Sequence, residues 1–84
     1  MERKDVYKLI DGERDYQDSL QHHSAAHDES HSLSDWLLFI EHYMDKAKAN
    51  LFYFQDGEAK AQIRKIAALC VVCMEHNETA PRKV

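Results

Sequence analysis

Ser32 to Phe54, SLSDWLLFIEHYMDKAKANLFYF, is the stretch that decides the fold. It has the pattern of one long amphipathic helix with a start signal in front. Ser32 is followed three residues later by Asp35, a variant of the capping box with an acid in the first turn. Leu33, Leu37, Ile40, Met44, Ala47, Leu51 and Phe54 then recur at alternating spacings of four and three. That spacing makes a heptad-like seam on one helix face. Trp36, Phe39 and Tyr43 form a second apolar strip beside it, so this helix can pack against two neighbours.

On the C-terminal side, Gln55-Asp56-Gly57 ends the central helix. Gly57 suits a left-handed cap and Asp56 suits the start of a new helix. So short a connection predicts a third helix folded back antiparallel, over about residues 58–76. Its face is Ala59, Ile63, Ile66, Cys70 and Cys73. From Ile66 to Met74 every residue is apolar, IAALCVVCM. One helix face does not account for that run, so burial on several sides is expected, and in so short a chain that argues for a second subunit. Residues 77–84 are a polar tail in which Pro81 forbids continuation of the helix.

On the N-terminal side, residues 2–20 form a first helix by pattern, with the stripe Val6, Leu9, Ile10, Tyr16 and Leu20. Glu13 falls inside that stripe, and Gly12 sits mid-helix at a cost of roughly 1 kcal/mol relative to Ala. Together they suggest close packing at Gly12 and an acid aimed at a partner; the plainer reading turns Glu13 to water. A polar loop over residues 21–31 joins the first two helices and carries His22, His23, His27 and His31 with Asp28 and Glu29. Its spacing matches no structural zinc pattern, and a solvated loop is the expectation.

The chain has 84 residues, which allows one domain. At 44% hydrophobic and 31% charged residues it has the balance of a globular protein. The net charge of −4 makes DNA a poor partner, because non-specific binding rests on neutralised phosphates. No apolar run approaches the roughly 20 residues of a membrane span, and MERKDVYKL lacks a signal-peptide core. Cys70 and Cys73 lie one helical turn apart and staple nothing distant, which points to reduced thiols in a cytoplasmic setting.

Three constellations could carry chemistry. Glu41 and Asp45 are spaced i, i+4, where like charges repel unless a cation sits between them. Such pairs hold Mg²⁺ in enzymes acting on nucleotide phosphates; the plain alternative is a solvated acidic face relieved by Lys48. Lys60, Arg64 and Lys65 form a basic patch after the aromatic run Phe52-Tyr53-Phe54. Aromatic faces with nearby cations suit a base and its phosphates; otherwise these are core aromatics and a solvated edge. Cys70-x-x-Cys73 with His76 has a metal-like look but no second pair, and buried thiols are expected.

Three stretches carry a resemblance. They are Glu13-Arg14-Asp15-Tyr16-Gln17; His31-Ser32-Leu33-Ser34-Asp35-Trp36-Leu37-Leu38 leading into Asp45-Lys46-Ala47-Lys48; and Ile63-Arg64-Lys65-Ile66-Ala67-Ala68 through Cys73-Met74-Glu75-His76, with Arg82 behind. They resemble small phage and prophage proteins described as MazG-like, over most of the chain. The resemblance implies an all-α nucleotide pyrophosphohydrolase fold. Active members hydrolyse nucleoside triphosphates with Mg²⁺ held by acids of two adjacent helices, in E-x-x-E and E-x-x-D motifs. Glu41 and Asp45 would supply the first set at a different spacing. Gln62 and Lys65 stand where the second set belongs, and the lysine would replace the metal's charge and pair with Glu41 or Asp45. What is implied is a degenerate member that keeps the scaffold without the catalytic ion.

The expectation is therefore a single all-α domain over residues 1–84. It has three helices at about 2–20, 33–54 and 58–76, the two long ones antiparallel and bundled with a second copy. Three functions remain open. The first is a non-catalytic, oligomeric nucleotide-binding protein. In a phage it would sequester a nucleotide-derived signal, such as a cyclic oligonucleotide, of a bacterial host's defence. Its ligand residues would be Trp36, Tyr43, Lys48, Tyr53, Lys60, Arg64 and Lys65, beside an acidic cluster of Glu13, Glu41 and Asp45. No catalytic residue, metal or cofactor is expected there. The second is a Mg²⁺-dependent nucleoside triphosphate pyrophosphohydrolase. The third is a helical protein-interaction module.

Overall fold

The computed structural model describes residues 1–20 and 30–83, and its described residues form three α-helices and no strand. These are α1 (Arg3–Asp18), α2 (Leu33–Phe52) and α3 (Asp56–His76). No helix among the described residues is long and apolar enough to cross a membrane.

α2 starts where the sequence places it. The Asp35 amide donates to Ser32 Oγ at 3.2 Å, and the Ser32 amide donates to Asp35 Oδ2 at 3.0 Å. Each partner satisfies a donor that the first turn of a helix leaves orphaned. These bonds favour the charged carboxylate, and they hold the Asp35 pKa below its ordinary value.

The other end of α2 differs from expectation. The helix stops at Phe52, and Phe54, not Gly57, takes the left-handed conformation, with φ of 58°. The Gln55 amide donates to the Asn50 carbonyl at 2.8 Å and the Phe54 amide to the Leu51 carbonyl at 3.1 Å. This is a Schellman closure, which needs a left-handed residue one step past the cap. Asn50 Nδ2 also donates to Gln55 Oε1 at 3.0 Å, which locks the turn from the side. The closure consumes the reversal before Gly57 is reached. Gly57 therefore lies in the first turn of α3, with no positive φ.

α2 and α3 pack closely, and their contacts run in opposite order. Trp36 meets Leu69, Val72 and Cys73, Tyr43 meets Lys65, and Ala47 with Leu51 shares a groove with Ala59 and Ile63. The pair is an antiparallel hairpin centred on Phe54. Its core is Trp36, Leu69, Val72 and Cys73, with Ile40 and Tyr43 partly buried against it. Trp36 is only 2% exposed and meets Phe39 edge to face at 5.8 Å. Cys73 belongs to this core and Cys70 is half-buried, and both are free thiols. Burial raises the Cys70 thiol above its ordinary pKa, which keeps it protonated and unreactive.

α1 packs on α3 as well, and among the described residues it makes no packing contact with α2. α3 is thus the middle element, covered from two sides by its own chain. That accounts for the run Ile66 to Met74, in which only Met74 is exposed. The step from this run to a second subunit does not hold: α1 and α2 supply the cover.

The stripe assigned to α1 is rotated. Ile10, Glu13, Arg14, Gln17 and Leu20 are wholly or partly buried, whereas Val6, Leu9 and Tyr16 are exposed. Glu13 is 8% exposed, and the acid inside the stripe does have a partner, within the same chain. Gly12 is not a close approach, since a Cβ added there would meet nothing within 4 Å.

Candidate functional site

The residues singled out for ligand or metal chemistry fall into three places. The first is the α1–α3 seam. Arg64 Nε donates to Glu13 Oε1 at 2.7 Å. The carboxylate is buried while the Arg64 side chain is 45% exposed. Next to it Arg14 donates to Gln17 Oε1 at 3.1 Å and to Asp18 Oδ1 at 2.9 Å, and its Nε lies 3.5 Å from Glu75. Arg64 and Glu13 are thus spent on joining two helices.

The second place is the outer surface of α2. Glu41 and Asp45 are both exposed. Among the described residues, no carboxylate lies within 4.0 Å of Lys65 Nζ, so the expected pair of Lys65 with Asp45 or Glu41 is not formed. Lys65 Nζ instead lies 5.6 Å from the Tyr43 ring centre, and Lys46 Nζ lies 5.2 Å from it. The reason is facing: Glu41 and Asp45 lie on the exposed side of α2, whereas Tyr43 packs against the core on the α3 side. Lys65 is as far after Phe54 as Tyr43 is before it, so Tyr43 is the residue it meets. Both ammonium groups lie within cation–π distance of this half-buried ring. Among the described residues no group of three His, Cys, Asp or Glu is placed to hold a metal. The histidines of residues 22–27 lie outside the described residues.

The third place was not assembled by sequence reasoning. A groove of about 320 Å³ runs between the C-terminal half of α2 and the first turns of α3. Its floor is apolar, from Met44, Ala47 and Leu51 on one side and Ala59 and Ile63 on the other. Lys48, Lys60 and Asp56 stand at its walls. Lys48 and Lys60 were both candidate ligand residues, and the fold brings them together. Trp36 is in the core, and Tyr53 is exposed at the hairpin tip. What the sequence hid was the apolar floor, because Ala59 and Ile63 looked like ordinary core positions.

The groove is the middle of a longer uncovered stripe. Leu33, Leu37, Met44 and Leu51 are 53%, 57%, 37% and 56% exposed, and Ile63 of α3 is 53% exposed beside them. The stripe is one side of the heptad-like seam; the seam's Ile40 and Ala47 are half-buried and buried. The buried side of α2 draws on both strips, Trp36 and Tyr43 from the second and Ile40 and Ala47 from the seam, while Phe39 of the second strip stays exposed. Three buried polar atoms in the hairpin have no partner among the described residues, Trp36 Nε1, Asn50 Oδ1 and Gln62 Oε1.

Comparison with protein-family models, with curated proteins and with solved structures finds no match, and so nothing there bears on the MazG-like resemblance.

Proposed function

We propose that this chain is a non-catalytic helical association module that works through the face left open on α2 and α3. One observation carries the reading. One side of the longest regular apolar seam in the sequence lies outside the core, with Leu33, Leu37, Met44 and Leu51 each more than a third exposed. A contiguous apolar stripe on so small a surface marks an interaction site. Exposed Leu and Met at heptad spacing are what a partner helix packs against. The non-catalytic part is supported by charge. The positions where the resemblance asks for a second pair of acids carry Gln62, which is buried, and Lys65, which stands over Tyr43.

A nucleotide-binding reading is favoured by a separate observation, the convergence of Lys48 and Lys60 on the apolar-floored groove. Its volume is at the small end for ligand pockets, roughly 300–1,000 Å³. On that reading the module would sequester a nucleotide-derived signal. A thermal-shift screen with nucleoside triphosphates and cyclic dinucleotides, with and without Mg²⁺, separates the readings. The association reading expects no shift and no pyrophosphate release. It also expects Leu37→Glu and Leu51→Glu to abolish association and leave the helical content of the single chain unchanged. A nucleotide shift lost in Lys48→Ala and Lys60→Ala would put the second reading in its place. Pyrophosphate release with Mg²⁺ would restore the enzyme.

A further inference from the structure

The open stripe on α2 has an internal symmetry. Leu37, Met44 and Leu51 are spaced by seven, with Met44 in the middle. Seven residues are close to two helical turns, so the three side chains lie within roughly 20–40° of one line. Glu41 stands three residues before Met44 and Lys48 four after it, and both are exposed. On the helix wheel both fall on the flank of the stripe away from Trp36 and Tyr43. The apolar pattern therefore maps onto itself when the helix is reversed about Met44, while the flanking charge changes sign.

That combination suits one kind of partner. In an isologous pair the same patch meets itself, so it must be self-complementary under a two-fold rotation. We infer that the occupant of the α2 stripe is a second copy of this chain, with the two α2 helices crossing antiparallel about a two-fold axis at Met44. Leu37 of one copy then packs beside Leu51 of the other, at the apolar-floored groove. Met44 meets its own counterpart, and each Glu41 faces a Lys48. The inference rests on the association reading and adds the partner and the register. A parallel pair would set the Glu41 and Lys48 flank of each copy against the Trp36 and Tyr43 flank of the other, so neither charge would gain a partner. The groove lysine Lys48 gains a carboxylate partner, which among the described residues of a single chain it lacks.

Cysteine crosslinking tests the register on the full chain, with the wild-type protein as the control for Cys70 and Cys73. Under mild oxidant Met44→Cys should crosslink to itself. Leu37→Cys alone should not, because antiparallel copies hold the two positions about 21 Å apart, at about 1.5 Å per residue. A mixture of Leu37→Cys with Leu51→Cys should crosslink. Charge exchange is the second arm. Glu41→Lys alone and Lys48→Glu alone should each weaken the dimer roughly tenfold at low salt, since the two-fold axis doubles each repulsion. The double exchange Glu41→Lys with Lys48→Glu should restore it. If sedimentation shows a dimer but Leu37→Cys crosslinks to itself, or the double exchange does not restore, the antiparallel register is overturned and the association reading stands. A chain that stays monomeric while nucleotides shift its melting through Lys48 overturns both.

Discussion

α2 and α1 pack on the same helix with opposite chemistry. The α2 side of α3 is apolar: Trp36, Leu69, Val72 and Cys73 are packed together, and the rings of Trp36 and Phe39 meet edge to face. The α1 side is polar: its buried α1 residues are Glu13 and Gln17, held by Arg64 and Arg14, while Val6, Leu9 and Tyr16 stay outside. Buried apolar area contributes roughly 25 cal/mol per Å², and buried ion pairs often gain little beyond their desolvation cost. The hairpin of α2 and α3 is therefore the stable unit. The α1 seam fixes an orientation more than it adds stability.

Breaking the apolar side should have the largest effect. Leu69→Ala should lose about 2–5 kcal/mol in a denaturant titration, because it opens a cavity beside Trp36 that α2 cannot collapse to fill. A loss under 1 kcal/mol would mean that the hairpin core is not the stabilising unit. On the polar side the effect should be smaller and lopsided. Arg64→Ala strands a buried carboxylate and should cost about 1–3 kcal/mol. Glu13→Gln leaves Arg64 still able to reach water and should cost less. Hydrogen exchange should show the loss in α1 amides first, with α2 and α3 keeping their protection. Equal costs for the two variants would argue against a buried acid with a half-exposed partner.

The turn between the two long helices offers a gain. Phe54 holds a left-handed conformation that costs a side-chain-bearing residue about 1–2 kcal/mol, and at 94% exposure its ring regains nothing within the chain. Phe54→Gly should raise stability by roughly 1 kcal/mol, less the extra entropy glycine brings to the unfolded chain. The smallest effect is a pH dependence at the other end of α2. Asp35 has its folded pKa depressed by the Ser32 amide. Its contribution is present above the unfolded pKa of about 3.9 and is lost as pH falls through the lower folded value. Asp35→Asn should flatten that part of the acid limb of a stability–pH curve and leave neutral pH nearly unchanged.

The sequence shows how much of this was legible and where it stopped. The Ser32–Asp35 start of α2 was plain, because capping is a local contact three residues long. The three helices were plain for the same reason. Which strip of α2 faces inward was not. The helix carries two apolar strips, and periodicity ranks neither. Only the packing partner decides it: α3 alone packs on α2, and the buried side takes Trp36 and Tyr43 from one strip and Ile40 and Ala47 from the other. Glu13 was flagged by its place in an apolar stripe, yet its partner Arg64 lies far along the chain and left no local signal. Gly57 misled, because glycine is the usual left-handed residue and the Asn50–Gln55 closure places that conformation at Phe54 instead. The turn at Phe54 sets Lys65 opposite Tyr43, and Glu41 and Asp45 lie on the exposed side of α2, so the proposed carboxylate contact is not formed.

The central claim is that the side of the seam left outside the core, Leu33, Leu37, Met44 and Leu51, is a working surface. Sedimentation equilibrium of the wild-type chain and of Met44→Glu, over a concentration series in the micromolar range, tests it most directly. The account predicts a reversible dimer or larger assembly for the wild type. For Met44→Glu it predicts a monomer with unchanged helical content, because Met44 is exposed in the single chain and a glutamate there meets water. A wild-type chain that stays monomeric throughout, or a Met44→Glu variant that unfolds, would contradict it.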